Sequence, residues 1–321
     1  MKKYLPEIDG LRAVAVLPVV LFHADLPFFP GGFVGVDVFF VISGFLITKI
    51  LIDEIERDNF SLIQFYERRA RRLLPALFFM VMITTVLSYC IMDSRQFLDY
   101  GQSVVAVNLF ASNLLFWLEA GYFESASSLK PLLHTWSLAV EEQFYLVFPV
   151  FLLLCLNRYS LPILFFFLAV GSLIGNMLLS SHFPELVFYF PLFRAWELLA
   201  GALVAVMSIN LHKNFHEAFG FIGFGLIVGS VFTFSENVIF DGPYLMLPVT
   251  GASLLLLSSG KKTIVNFFLS RKVMVLIGLL SYSIYLWHQP IFALNKIFYL
   301  EPTAQSLTIC FVLIFSVAGL S

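Results

Sequence analysis

The sequence predicts an all-α fold, a polytopic integral membrane helical bundle of about ten transmembrane helices with a cytoplasmic N-terminus. Three observations predict it. Of 321 residues, 60% are hydrophobic and only 12% are charged, against roughly a quarter charged in a soluble domain, which leaves too little charge to coat a water-facing surface. The apolar residues fall into runs close to the ~20 needed for a helix to cross a bilayer. Lys and Arg are also divided unequally between the segments that would alternate from side to side. The formal net charge of −2 says nothing about partners, because placement matters more than the sum.

The first apolar run follows Lys2 and Lys3 and resembles a signal peptide in outline. Polar residues inside it and the lack of a small-x-small cleavage site make it a retained first span, near 11–29. Further spans are expected near 33–52, 73–92, 131–155, 161–180, 191–209, 217–235, 243–259, 273–295 and 303–321. Gly31-Gly32-Phe33-Val34-Gly35 has no preceding strand and no following lysine in register, so it reads as a tight bend with close helix packing and not as a phosphate loop. The stretch 103–120 is long enough to cross, but Asn108, Asn113 and Glu119 interrupt it. It is expected to be interfacial or partly re-entrant.

Positive charge tests that choice. With the N-terminus inside and 103–120 not crossing, the inner segments hold Lys2, Lys3, Arg57, Arg68, Arg69, Arg71, Arg72, Arg158, Lys213, Lys261, Lys262, Arg271 and Lys272, whereas the outer ones hold Arg95, Lys130 and Lys296. This is the excess typical of cytoplasmic loops. A crossing by 103–120 would put Arg158 and the 261–272 cluster outside and weaken the bias. Cys90, Cys155 and Cys310 have neither metal-ligand nor redox spacing and read as packing residues. With no internal repeat or low-complexity tract, one transmembrane domain is expected over 1–321, cut by Ser321 within its last span.

Arg12, Asp37, Lys49, Glu141, Glu142, Arg194, Glu197, His23, His134 and His288 lie in or near these spans. An ionisable side chain in hydrocarbon costs about 2.5–3.5 kcal/mol on insertion scales, so this many point to a polar interior. At ~1.5 Å per residue, His23 is expected roughly 20 Å from the inner end of its span and His288 about 22 Å from the inner end of its own. Glu141 and Glu142 come roughly 15–17 Å from an outer end. Arg12 belongs to the inner end, and Asp37, His134, Arg194 and Glu197 to the outer. Arg12 and His23 are almost three turns apart and share a helix face unless Pro18 shifts it. That face suits a ligand threaded from the cytoplasm, or equally a histidine satisfied by a carbonyl and an arginine snorkelling to headgroups. The run Tyr66–Arg72 reads as a topology determinant, as a phosphate site, or as both. Asp37 is either a helix-end cap or an outer-site carboxylate.

DGLRAVAVLPVVLFHA and GGFVGVDVFFVISGFLIT, followed in order by FYERRARRLLPAL, HTWSLAVEEQFYLVFPV, RAWELLAGAL and SYSIYLWHQP, resemble the membrane acyltransferase-3 family over essentially the whole chain. The resemblance implies about ten helices, an inner N-terminus and a multi-pass place in a bacterial inner or plasma membrane. It implies O-acyl transfer, commonly of acetyl from acetyl-CoA, to extracytoplasmic carbohydrates such as lipopolysaccharide O-antigen, peptidoglycan, exopolysaccharide or glycolipid sugars. The family's basic residue and histidine match Arg12 and His23, its arginine-rich motif Arg68, Arg69, Arg71 and Arg72, and its acidic motif Glu141 and Glu142. RAWELLAGAL is similar to the subgroup that continues into an SGNH-type domain, which is expected to be absent from a chain stopping at Ser321.

The expected mechanism has Arg12 and the arginine run hold acetyl-CoA, a donor substrate and not a resident cofactor. His23 is the general base and Glu142 orients it, with an acyl-enzyme relay as a variant. Asp37, His134, Trp136, Glu141, Arg194, Glu197 and His288 are expected to contact the carbohydrate or glycolipid acceptor. Membrane lipid is the remaining partner, and neither a metal nor a nucleic acid is implied. A rival class, a secondary transporter of a polar or anionic solute, predicts inverted repeats and paired broken helices, and the sequence has neither.

Overall fold

The computed structural model describes residues 4–120, 127–155, 160–207, 213–235, 242–299 and 303–319, and their regular structure is helical. In chain order the helices are α1 (Pro6–His23), α2 (Gly35–Glu56), α3 (Leu62–Ile91), α4 (Ser94–Asn108), α5 (Ser112–Glu119), α6 (Thr135–Leu154) and α7 (Leu161–Leu179). They continue as α8 (Pro184–Tyr189), α9 (Pro191–Val206), α10 (Lys213–Thr233), α11 (Gly242–Leu257), α12 (Ile264–Leu269), α13 (Lys272–Tyr299) and α14 (Ala304–Ala318). Lys2, Lys3 and Arg158, used above to set topology, lie outside the described residues.

Among the described residues, six helical segments are long and apolar enough to cross a membrane: Gly32–Glu56, Leu62–Ile91, Thr135–Leu154, Leu161–Leu179, Phe215–Thr233 and Lys272–Tyr299. Helices α11 and α14 are apolar but shorter. Along α3 and α7 large apolar side chains stay exposed, Met82, Val86, Phe167 and Leu178 among them. Apolar faces of that extent suit lipid and not water.

Each expected span contains a helix, but several boundaries move. Helix α1 starts at Pro6, where proline is preorganised for the first turn. It runs unbroken through Pro18 and stops at His23, because Asp25 takes φ 55° and Leu26 precedes Pro27. The first span is therefore shifted toward the N-terminus relative to 11–29. His23 ends a helix instead of lying inside one, and the depth of roughly 20 Å drawn from the old boundaries does not carry over. Helix α3 begins at Leu62, with Ser61 as N-cap, so the arginine run sits on the first turns of a helix and not in a loop.

The segment 103–120 is broken in two. Helices α4 and α5 have 15 and 8 residues, hence about 22 and 12 Å, too short for a hydrocarbon core of ~30 Å. Phe110 takes φ 50° at the break. Gln143 of α6 covers it: its Nε2 donates to the Phe110 carbonyl at 2.8 Å and to Asn113 Oδ1 at 2.9 Å, and Asn113 Nδ2 donates back at 3.3 Å. Satisfying a freed carbonyl inside protein is what allows irregular backbone in such a setting.

The chain divides into two compact units, Met1–Asn59 with Phe144–Ser281, and Phe60–Gln143 with Tyr282–Ser321. In the first unit α2 and α9 pack backbone to backbone. A Cβ on Gly44 would overlap the Leu198 carbonyl, and one on Gly201 would overlap that of Val41, so only glycine permits the approach. The Gly32–Val34 turn makes the bend expected between the first two spans. Leu11, Val38, Val41, Trp196, Val249 and Leu269 are among the core residues of this unit. In the second unit Leu77, Met80, Tyr100, Leu132, Leu286 and Trp287 form the core.

Candidate active site

In the first unit, α1 carries Arg12 and His23 on one face, about 16 Å apart along an unbroken helix. The Arg12 guanidinium lies 3.7 Å from the Asp9 carboxylate, one turn earlier. His23 is half-buried, its ring edge-on to Phe22. Its Nδ1 is 2.8 Å from the Val19 carbonyl. A carbonyl only accepts, so Nδ1 carries the proton, and in the neutral ring the lone pair is on Nε2. That is the tautomer of a base acting through Nε2. It also means that the helix's own backbone orients the imidazole.

The same unit joins Asp37 of α2 to Arg194 and Glu197 of α9. Arg194 donates from Nη2 to Asp37 Oδ1 at 2.6 Å and to Glu197 Oε2 at 3.2 Å, and its Nε lies 3.0 Å from Glu197 Oε1. Phe40 and Phe188 each face the guanidinium at 5.7 Å. All three side chains are at most 3% exposed. The three residues expected at an outer substrate site are thus brought together, and they bond to one another. Lys49 lies exposed over Phe45.

In the second unit the arginine run separates by role. Arg68, Arg71 and Arg72 are exposed, and Arg71 pairs with Glu67 at 2.7 Å on the helix surface. Arg69 is turned inward and donates to Glu142 Oε1 at 3.2 Å, with both side chains mostly buried. This contact joins a residue expected on the donor to one expected in catalysis. Glu141 beside it is half-buried.

His134, just before α6, meets Tyr285 and His288 of α13, with ring centroids 5.5 and 5.3 Å away. His288 is fully buried, its Nδ1 donating to the Tyr285 carbonyl at 2.6 Å. The Tyr285 hydroxyl donates to the His134 carbonyl at 3.0 Å and lies 2.6 Å from Ser137 Oγ. Trp136 is buried nearby in sequence. Sequence reasoning missed Gln143, Ser137 and Tyr285. For Tyr285 a signal existed, since Tyr285 and His288 are three residues apart and share a helix face. Cys90, Cys155 and Cys310 are free thiols.

The comparisons with known proteins agree with this arrangement of motifs. The model of a family described as "Acyltransferase domain" matches residues 5–320. The O-acetyltransferase OatA of Staphylococcus aureus is 30% identical over 316 residues, 93% of this chain and 52% of that protein. The peptidoglycan O-acetyltransferase OatA of Listeria monocytogenes is 34% identical over 315 residues, 92% of this chain and 50% of that protein. The chain thus spans about half the length of the relatives it matches. No solved structure matches it.

Proposed function

Because the chain belongs to the acyltransferase-3 family, we propose that it is a multi-pass membrane O-acetyltransferase using acetyl-CoA as donor and an extracytoplasmic carbohydrate hydroxyl as acceptor. Peptidoglycan is the first acceptor to test, since the Listeria relative carries that word in its name. In the reaction the acceptor oxygen attacks the thioester carbonyl while His23 Nε2 takes its proton. The tetrahedral intermediate collapses, an ester forms, the C–S bond breaks, and the coenzyme thiolate takes up the proton.

The observation that carries this reading is the His23 Nδ1 bond to Val19 O, which leaves Nε2 as the acceptor atom that a general base needs. Arg12 and the exposed Arg68, Arg71 and Arg72 are assigned to the donor, whose phosphates suit guanidinium groups. Glu142, anchored by Arg69, is the second acid–base candidate. The ten-span, N-inside topology belongs to the same proposal. It is supported by the Gly260 N–H bond to Glu7 Oε1, which puts Glu7 at the same end of the first unit as the turn that opens the 261–272 basic cluster, as an even number of crossings between them requires.

The test supplies purified chain with acetyl-CoA and peptidoglycan-derived oligosaccharide. Release of free coenzyme thiol, with an acetyl ester found on the sugar by mass spectrometry, is the expected result. Solute uptake into vesicles without any acetyl transfer would overturn the enzyme reading in favour of a transporter.

A further inference from the structure

A cavity of about 840 Å³ opens in the first unit between the start of α1 and the turn leading into α12. Its volume is in the range of small-molecule sites, about 300–1,000 Å³. Tyr4, Glu7, Glu217, Lys261, Lys262 and Phe267 are among its lining residues.

The turn is held in shape by side chains. Gly260 takes φ +75°, the left-handed region that favours glycine, and its N–H donates to Glu7 Oε1 at 2.5 Å. The buried Asn266 donates from Nδ2 to the Ser258 and Lys261 carbonyls at 2.7 and 3.0 Å. Glu217 Oε1 accepts the Ile264 N–H at 3.1 Å. Both carboxylates of the lining therefore accept from backbone N–H groups of this region. Lys261 and Lys262 are exposed, and among the described residues neither ammonium is in an ion pair. Arg271 adds a third cation, its guanidinium over the Phe267 ring at 4.2 Å.

Two aromatic rings complete the wall. Tyr4 is 61% and Phe267 63% exposed, so much of each ring is accessible to a flat ligand, although Arg271 covers one face of Phe267. The Tyr4 hydroxyl donates to Asp9 Oδ2 at 2.6 Å. That bond, with burial and the charges of Asp9 and Glu7, pushes its pKa up to about 12, so the ring stays neutral near pH 7.

We propose that this cavity binds the nucleotide end of the acetyl-CoA donor, with the adenine against Tyr4 and Phe267 and a ribose phosphate on Lys261 and Lys262. The proposal rests on the acetyl-CoA reading above and deepens it. Planar rings give a base a stacking surface, and ammonium groups bind phosphate as point charges. An anionic lipid headgroup offers the same phosphate, but it has no use for two stacking faces.

The experiment titrates adenosine 3′,5′-bisphosphate, which lacks both pantetheine and thioester, into the full chain in zwitterionic nanodiscs. The expected result is binding that weakens at least about tenfold in Lys261→Ala/Lys262→Ala and also weakens in Phe267→Ala. The KM for acetyl-CoA rises by a similar factor in the double variant, with a smaller effect on kcat. Unchanged nucleotide affinity in the double variant, with a normal KM for acetyl-CoA, overturns the cavity assignment while leaving the transferase reading intact. Nucleotide binding that fails to discriminate against inorganic phosphate removes the base from the proposal. Displacement of the nucleotide by phosphatidylglycerol in the nanodisc, lost in the double variant, assigns the lysines to lipid and overturns it. Binding of the bisphosphate by a chain that consumes no acetyl-CoA leaves a nucleotide site but overturns its assignment to the donor.

Discussion

His23 acts through one nitrogen in the proposed reaction, since Val19 O holds the other. His23→Gln keeps hydrogen-bonding capacity at the helix end but has no imidazole base. It is expected to insert normally and to lose at least ~100-fold in acetyl transfer, the low end for general acid–base catalysis. Wild-type turnover in that variant would pass the role to Glu142. Gln143 is different in kind, because it serves the backbone. Replacing it with Leu leaves the Phe110 carbonyl and the Asn113 amide without these bonds. At about 1–3 kcal/mol for each buried polar group that loses its bond, Gln143→Leu should lower the unfolding free energy in detergent by about 2–6 kcal/mol. An unchanged unfolding midpoint would mean that the break at 109–111 does not depend on Gln143.

Between α2 and α9 a glycine contact and an ion cluster do related work. Gly44 and Gly201 let the backbones approach, and Arg194 ties Asp37 to Glu197 across the same pair of helices. Exchanging Arg194 and Glu197 would be a poor test of this cluster, because it sets a carboxylate at 194 beside Asp37. Arg194→Met is better: it leaves two buried carboxylates without their cation and should destabilise the first unit by about 3–5 kcal/mol, as measured by thermal or chemical unfolding. Arg194→Lys should retain part of that stability. A variant with Met at 194 that unfolds like wild type but has a raised acceptor KM would instead make the cluster a substrate site. The arginine run was visible in the sequence as a basic patch. Its division into exposed Arg68, Arg71 and Arg72 and an inward Arg69 came from the helical phase of α3, and that required knowing where α3 begins.

For the molecule as a whole, the Glu7–Gly260 bond makes a topological prediction. Single cysteines at Tyr4 and Lys261 should respond alike to an impermeant thiol reagent and resist it from outside, whereas one at Lys296, near the far end of α13, should react. Opposite labelling of Tyr4 and Lys261 would contradict both the contact and the even number of crossings. The membrane character, the approximate placement of the ten apolar runs and the family motifs were readable in advance, because the free energy of moving a side chain into lipid is a local property that sums along about 20 residues. Local composition also marked 103–120 as unable to cross cleanly, since Asn108, Asn113 and Glu119 interrupt it. It could not supply the partners. Arg194 finds Asp37 157 residues away, Arg69 finds Glu142 at a separation of 73, and Gln143 reaches Phe110 at 33. Nor could it show that α1 stops at His23, or that residues 4–7, Glu217 and residues between 260 and 270 line one cavity. Those facts depend on which helices pack together and in what rotation. Packing is settled by contacts summed over the folded chain, so no window of sequence contains it.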